Sequence, residues 1–281
     1  MCVLVLKDIV YLYRLVHWEE KLAWTRGLAY VFLGYCVAAQ FHFIPLLCNL
    51  LVISGICMCA YSLNDLYDYK KKNEKNFMGY ALGRGMFSER HAHIYCFLPL
   101  VLLGGIFFID SIVSQILLIV FSLITILYSL PKVNLKRWWR WVYSPICAAV
   151  GFLEAYFVLG SFHMYIIFLT LFVFLFHLYT EMIHILEECQ TGEIASSQIQ
   201  HRALISLKAI PYIAIAASLL ISIRNPIFLV AIPFALIRIY SLKNINTTSN
   251  FYAIHRRIFS ALYAPYEYIV YAGCGLLGVF G

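Results

Sequence analysis

The stretch Phe43–Asp68, FIPLLCNLLVISGICMCAYSLNDLYD, decides the fold. Its apolar run from Phe43 to Leu63 has the ~20 residues that a helix needs to cross a bilayer. The run ends in two carboxylates, Asp65 and Asp68, followed at once by Lys70, Lys71, Lys72 and Lys75. Carboxylates at the edge of the hydrocarbon are costly and are usually kept for a function. Hard oxygen donors beside a group of cations suit Mg²⁺ carrying a diphosphate. A lipid setting and a diphosphate together point to chemistry on a prenyl diphosphate.

Composition agrees with a membrane setting. Of 281 residues, 63% are hydrophobic and 12% charged, and the mean hydropathy is +0.81. A soluble domain cannot bury that share of apolar surface. The N-terminus shows no short apolar core ending in small residues, so no cleavable signal peptide is expected and targeting falls to the first membrane helix. The nine cysteines are scattered without a CxxC, which argues against a zinc site or a structural disulfide. The net charge of +7 does not imply nucleic acid, because the cations gather at the ends of apolar spans.

Nine apolar stretches follow one another, near 22–40, 43–63, 91–109, 112–130, 141–160, 163–183, 203–222, 225–240 and 259–279. The expected fold is an all-α integral membrane protein of nine transmembrane helices in one domain spanning 1–281. Residues 1–21 mix Val10, Leu12 and Leu15 with Tyr11, Arg14, His17 and Trp18, which suits an amphipathic helix lying at the interface. The bundle proper occupies 22–281. Of the 21 Lys and Arg residues, only Arg224 falls on the side opposite the segments 64–90, 131–140, 184–202 and 241–258. That asymmetry puts those segments in the cytoplasm and the chain in the cell membrane as a multi-pass protein.

Two further segments on the same side carry polar groups. In YSLPKVNLK, Tyr128–Lys136, Pro131 ends a helix and Lys132 and Lys136 follow. In HLYTEMIHILEECQTG, His177–Gly192, the residues His177, Glu181, His184 and Glu188 recur at i, i+4, i+7 and i+11, one face of a helix, with Glu187 beside them. Glu181 and His184 also make the ExxH spacing of helical di-iron sites, but the chain has no second ExxH to complete one. Glu154 and Glu267 stand alone within apolar spans, where each should face a cavity or be neutral.

With these segments on one face, the chain resembles the UbiA superfamily of intramembrane prenyltransferases over nearly its whole length. Asn64, Asp65 and Asp68 match the family's NDxxDxxxD motif, and Asn76, Gly85 and Ser88 match the stretch downstream of it. Tyr128, Ser129, Pro131 and Lys136 resemble its YSxP…K segment. There are departures. Lys72 stands where the third acid is usual, and Tyr80 where an arginine is usual, with Arg84 close by. The second motif, normally DxxxD, reads His184 to Glu188 with Glu187 adjacent.

The resemblance implies a helical bundle around a central cavity open to the cytoplasmic interface. It implies Mg²⁺-dependent transfer of a prenyl group from a polyprenyl diphosphate to a small aromatic or other lipophilic acceptor in the membrane, without nucleic acid. Asp65 and Asp68, with Glu187, Glu188 and His184, would hold the metal. Asn64, Lys136 and Tyr128 would serve catalysis, and Lys72, Arg84 and Ser88 would bind the diphosphate. Glu154 would meet an acceptor. A terpene cyclase of the same fold, and a non-catalytic isoprenoid-binding or transport homologue, are the alternative readings. Carboxylates beside lysines favour the enzyme, since a transporter has no need of divalent metal at a diphosphate.

Overall fold

The computed structural model describes residues 6–13, 26–38, 42–70, 76–129, 139–190, 197–242 and 264–276. They form an all-α bundle: α1 (Leu6–Leu12), α2 (Arg26–Val37), α3 (Phe43–Lys70), α4 (Phe77–Gly83), α5 (Glu89–Phe97), α6 (Ile112–Ser129), α7 (Trp139–Phe157), α8 (Met164–Gln190), α9 (Ser197–Ser222), α10 (Ala231–Ser241) and α11 (Ala264–Leu276). A 3-10 segment, Leu98–Phe108, continues α5, and another, Pro226–Val230, leads into α10.

The expectation of nine membrane-spanning helices is not met. Among the described residues, four helices are long and apolar enough to cross a membrane: Phe43–Tyr69, Glu89–Phe108, Met164–Gln190 and Ser197–Ser222. The other apolar stretches give shorter pieces. Helices α2 and α11 have 12 and 13 residues, and Ile112–Leu127, Trp141–Phe157 and Pro226–Ser241 fall below the length of a full span. For α2 and α11 these are the lengths within the described residues; for Pro226–Ser241 the reason is local. Asn225 and Pro226 open the last of these as a 3-10 turn, which leaves α10 only 11 residues. The chain is a multi-pass membrane protein, with apolar side chains such as Val101, Phe107 and Ile223 at least three-quarters exposed on its outer surface. Water would not tolerate so many such side chains, whereas lipid does.

Packing follows the chain. Helix α3 lies along the 3-10 segment, then α6, α7, α8, α9 and α10 pack in sequence, and α11 returns against α2, which also leans on α7 and α3. Small residues permit the closest approaches. A Cβ at Gly34 of α2 would sit 2.7 Å from the Phe152 carbonyl oxygen of α7, and one at Gly55 of α3 would sit 2.6 Å from the Pro99 carbonyl oxygen. Without a hydrophobic drive between helices in lipid, such backbone proximity is what makes dispersion contacts sufficient. Of the expected interfacial helix 1–21, the structure describes α1 and Tyr13. Leu12 is buried, and the Tyr13 hydroxyl donates to the Tyr95 carbonyl of α5 at 2.9 Å. The remainder of 1–21 lies outside the described residues.

Candidate active site

Helix α3 carries the first motif out of the bundle on its last turns. Asp65 is buried and Asp68, one turn on, is half-buried. The Asn64 amide donates to Asp68 Oδ2 at 3.1 Å, which fixes that carboxylate along the helix. Asp65 is fixed from outside. Asn76, 11 residues later, caps α4: its Oδ1 accepts from the Gly79 amide at 2.7 Å, while its Nδ2 donates to the Asp65 main-chain carbonyl at 3.2 Å. One side chain therefore starts α4 and ties it to the carboxylate-bearing turn.

The downstream residues singled out by the resemblance have plain structural work. Gly85, at φ +66°, ends α4. Its N–H donates to the Leu82 carbonyl at 3.0 Å and Met86 N–H to Ala81 at 2.9 Å, the double bond pattern of a left-handed helix stop that favours glycine. Ser88 then caps α5, accepting from His91 N–H at 3.4 Å, with its hydroxyl 2.7 Å from His91 Nδ1. Arg84 is exposed, its guanidinium 4.9 Å over the Tyr80 ring, so it stands above the position where the resemblance expects an arginine.

The second motif closes α8. His184 Nε2 lies 3.5 Å from Glu188 Oε1, and its Nδ1 lies 3.8 Å from Glu187 Oε2. The three share one helical face, as the spacing requires. The structure does not draw the five expected ligands together: among the described residues no group of three or more His, Cys, Asp or Glu side chains is arranged to hold a metal ion. The donors themselves suit the ion unequally. Asp65 and Asp68 offer hard oxygens on one helical turn, which fits Mg²⁺, whereas the imidazole of His184 is a poor ligand for it. Lys72 and Lys136 lie outside the described residues. Tyr128 is in the last turn of α6, with its side chain outside them.

Three polar groupings inside the bundle, two of them buried and that of His177 partly so, were not legible as such. The His177 ring sits between the Tyr30 hydroxyl of α2, on Nδ1, and the Ser144 hydroxyl of α7, 2.7 Å from Nε2. Arg238 of α10 pairs with Glu267 of α11, which also accepts from the Tyr271 hydroxyl at 2.9 Å. The guanidinium lies 4.8 Å over Phe176 and 5.6 Å over Tyr179. Glu154 accepts from Ser114 at 2.6 Å, with Asn49 and Tyr35 buried beside it. Asn49 precedes Asp65 by sixteen residues on α3, about 24 Å of helix rise, so Glu154 belongs to the opposite end of the bundle. For His177, Glu154 and Glu267 the signal was a polar residue in an apolar span. Their partners Tyr30, Ser144, Ser114 and Arg238 gave none, because a lone hydroxyl or terminal arginine reads as an ordinary surface group.

The sequence matches no protein-family model and no curated protein. Solved structures do match it over nearly its full length. One, described as digeranylgeranylglyceryl phosphate synthase, superposes with a TM-score of 0.73 at 16% identity, covering 97% of this chain and 99% of that one. A UbiA homolog from Archaeoglobus fulgidus bound to DMAPP and Mg²⁺ gives 0.67 at 17% identity, and the same homolog bound to GPP and Mg²⁺ gives 0.65 at 17%, each covering 94% of this chain and 99% of that one. The class of protein is therefore a UbiA-like helical membrane bundle. Within that fold family, the chain is structurally related to known UbiA homologues.

Proposed function

We propose that this chain transfers a prenyl group from a polyprenyl diphosphate to a small lipophilic acceptor inside the membrane. We take 1–281 as a single functional domain whose site opens to the cytoplasm. The observation that carries the reading is the Asp65–Asp68 turn, built at the edge of an apolar helix and tied down by Asn64 and Asn76. Asp65 and Asp68 would hold Mg²⁺, with Glu187, Glu188 and His184 as its further donors, and the bound ion would supply the charge neutralisation that a diphosphate needs before it can leave.

The chain's own residues do the remaining work. Asn64 orients Asp68, and Asn76 orients Asp65. Lys72, Arg84 and Lys136 add cationic donors for the phosphate oxygens, and Ser88 starts the helix that carries this face. Tyr128 would serve as the aromatic partner of the allylic cation, which an electron-rich face stabilises in a dry site.

Incubating the purified protein with geranylgeranyl diphosphate and Mg²⁺ tests the proposal. Diphosphate release that Asp65→Ala abolishes supports it, and release unaffected by that change removes it. A cyclic hydrocarbon formed without any acceptor would reassign the chain as a cyclase.

A further inference from the structure

His177 belongs to the polar stripe of α8 but has no part in the diphosphate site proposed above. Its ring nitrogens are both engaged by hydroxyls from other helices, Tyr30 on Nδ1 and Ser144 on Nε2 at 2.7 Å. Tyr30 is buried and its ring meets the imidazole edge-on, with centroids 5.5 Å apart. Three helices thus converge on one imidazole. A neutral imidazole has one N–H and one lone pair, so one hydroxyl accepts from it and the other donates to it.

The position along α8 matters. His177 lies seven residues before His184, about 10 Å deeper along the same face. A prenyl diphosphate anchored at the His184–Glu188 end and directed into the bundle would bring its first carbon toward the level of His177. Prenyl transfer to an O–H nucleophile releases a proton, and within the apolar bundle that proton needs a base.

We propose that Ser144 and His177 form the acceptor subsite, that the acceptor is a hydroxyl compound, and that His177 takes its proton. This rests on the prenyl-transfer reading. The acceptor oxygen uses a lone pair to form the bond to the first prenyl carbon. The carbon–oxygen bond to diphosphate breaks, and its electron pair leaves with the diphosphate. The acceptor's proton passes to Ser144 Oγ as Ser144 gives its own to His177 Nε2. The resulting imidazolium donates its Nδ1–H to the Tyr30 oxygen, and a charge in a poorly hydrated site gains most from such a fixed partner.

The test needs no knowledge of the acceptor. Ser144→Cys puts a thiol one hydrogen bond from where the acceptor hydroxyl reacts, next to a base that can take its proton. Incubation with geranylgeranyl diphosphate and Mg²⁺, followed by peptide mass spectrometry, should show one geranylgeranyl addition at position 144. Native Cys147, one turn away on α7, is the internal control and should stay unmodified. Adding His177→Asn should lower the ratio of labelling to diphosphate release about tenfold or more. Labelling absent at 144 while the Ser144→Cys protein releases diphosphate, or equal at 147, overturns the subsite. An unchanged ratio in the double variant, including a parallel fall of both quantities, overturns the role of the imidazole. If the wild-type protein releases no diphosphate, the prenyl-transfer reading itself fails, and this inference with it.

Discussion

The side-chain amide of Asn76 donates to the main-chain carbonyl of Asp65 across 3.2 Å, while its oxygen caps α4. The carboxylate turn and the helix after it are thus one mechanical unit, although residues 71–75 separate them in sequence.

The two roles of Asn76 are separable. Asn76→Asp keeps an oxygen for the Gly79 amide but loses the donor to Asp65. Thermal unfolding in detergent should move little, while diphosphate release falls about tenfold, the equivalent of ~1.4 kcal/mol. Asn76→Ala should lose both, with roughly 1 kcal/mol of cap stability gone as well.

The second motif is tested by exchange of its odd member. His184→Asp restores an acid one turn before Glu187 and Glu188 and should preserve or raise turnover with Mg²⁺, because a protonated imidazole repels the ion and a carboxylate binds it. Glu188→Gln should lower turnover strongly. Loss of activity in the first variant and tolerance of the second would show that His184 acts in its own right.

The α2–α7 contact predicts a steep steric response. At Gly34 a methyl group would meet the Phe152 oxygen at 2.7 Å and the Ala155 Cβ and Tyr156 nitrogen at 2.8 Å. These are backbone and short side-chain atoms that cannot swing aside. Gly34→Ala should cost about 1–3 kcal/mol, read as earlier unfolding in detergent. Gly83→Ala, with nothing within 4 Å of the new Cβ, should be neutral or slightly stabilising.

How legible all this was depended on whether a feature is local. The carboxylate turn at 64–68 is local and lies at the end of the apolar helix, as its residues imply; Gly85 and Ser88 stood out only through the resemblance, and their work as helix stop and cap emerges from the folded backbone. The stripe ending in His184 and Glu188 was legible because helical periodicity is local too. The number of spans was not, since helix length depends on where a 3-10 turn interrupts an apolar run, as at Pro226. Groupings such as Tyr30 with His177, separated by 147 positions, arise only when helices pack.

Sidedness gives a further check. We propose that both lysine-bearing segments face the cytoplasm; single cysteines at positions 72 and 136 should then react with a membrane-impermeant reagent only from that side. Reaction from the other side would separate the lysines from the carboxylate site.

The buried pair of Arg238 and Glu267 should respond asymmetrically. Glu267→Gln leaves a guanidinium uncompensated over Phe176 and should cost about 3–5 kcal/mol. Removing both charges with Arg238→Met and Glu267→Leu should recover most of that loss in the same unfolding assay.

That pair also bears on how the chain reaches its membrane. Arg238 is made 29 residues before the glutamate that neutralises it. An arginine in the hydrocarbon costs about 2.5–3.5 kcal/mol even on the mildest insertion scale. Until α11 emerges from the ribosome, Arg238 has the Phe176 and Tyr179 rings beside it but not its counter-charge. α10 should therefore settle fully only once α11 has been made. A ribosome stalled short of Glu267 would leave α10 unsettled, and truncation from the C-terminus would mark the protein for quality control before any catalytic residue was lost.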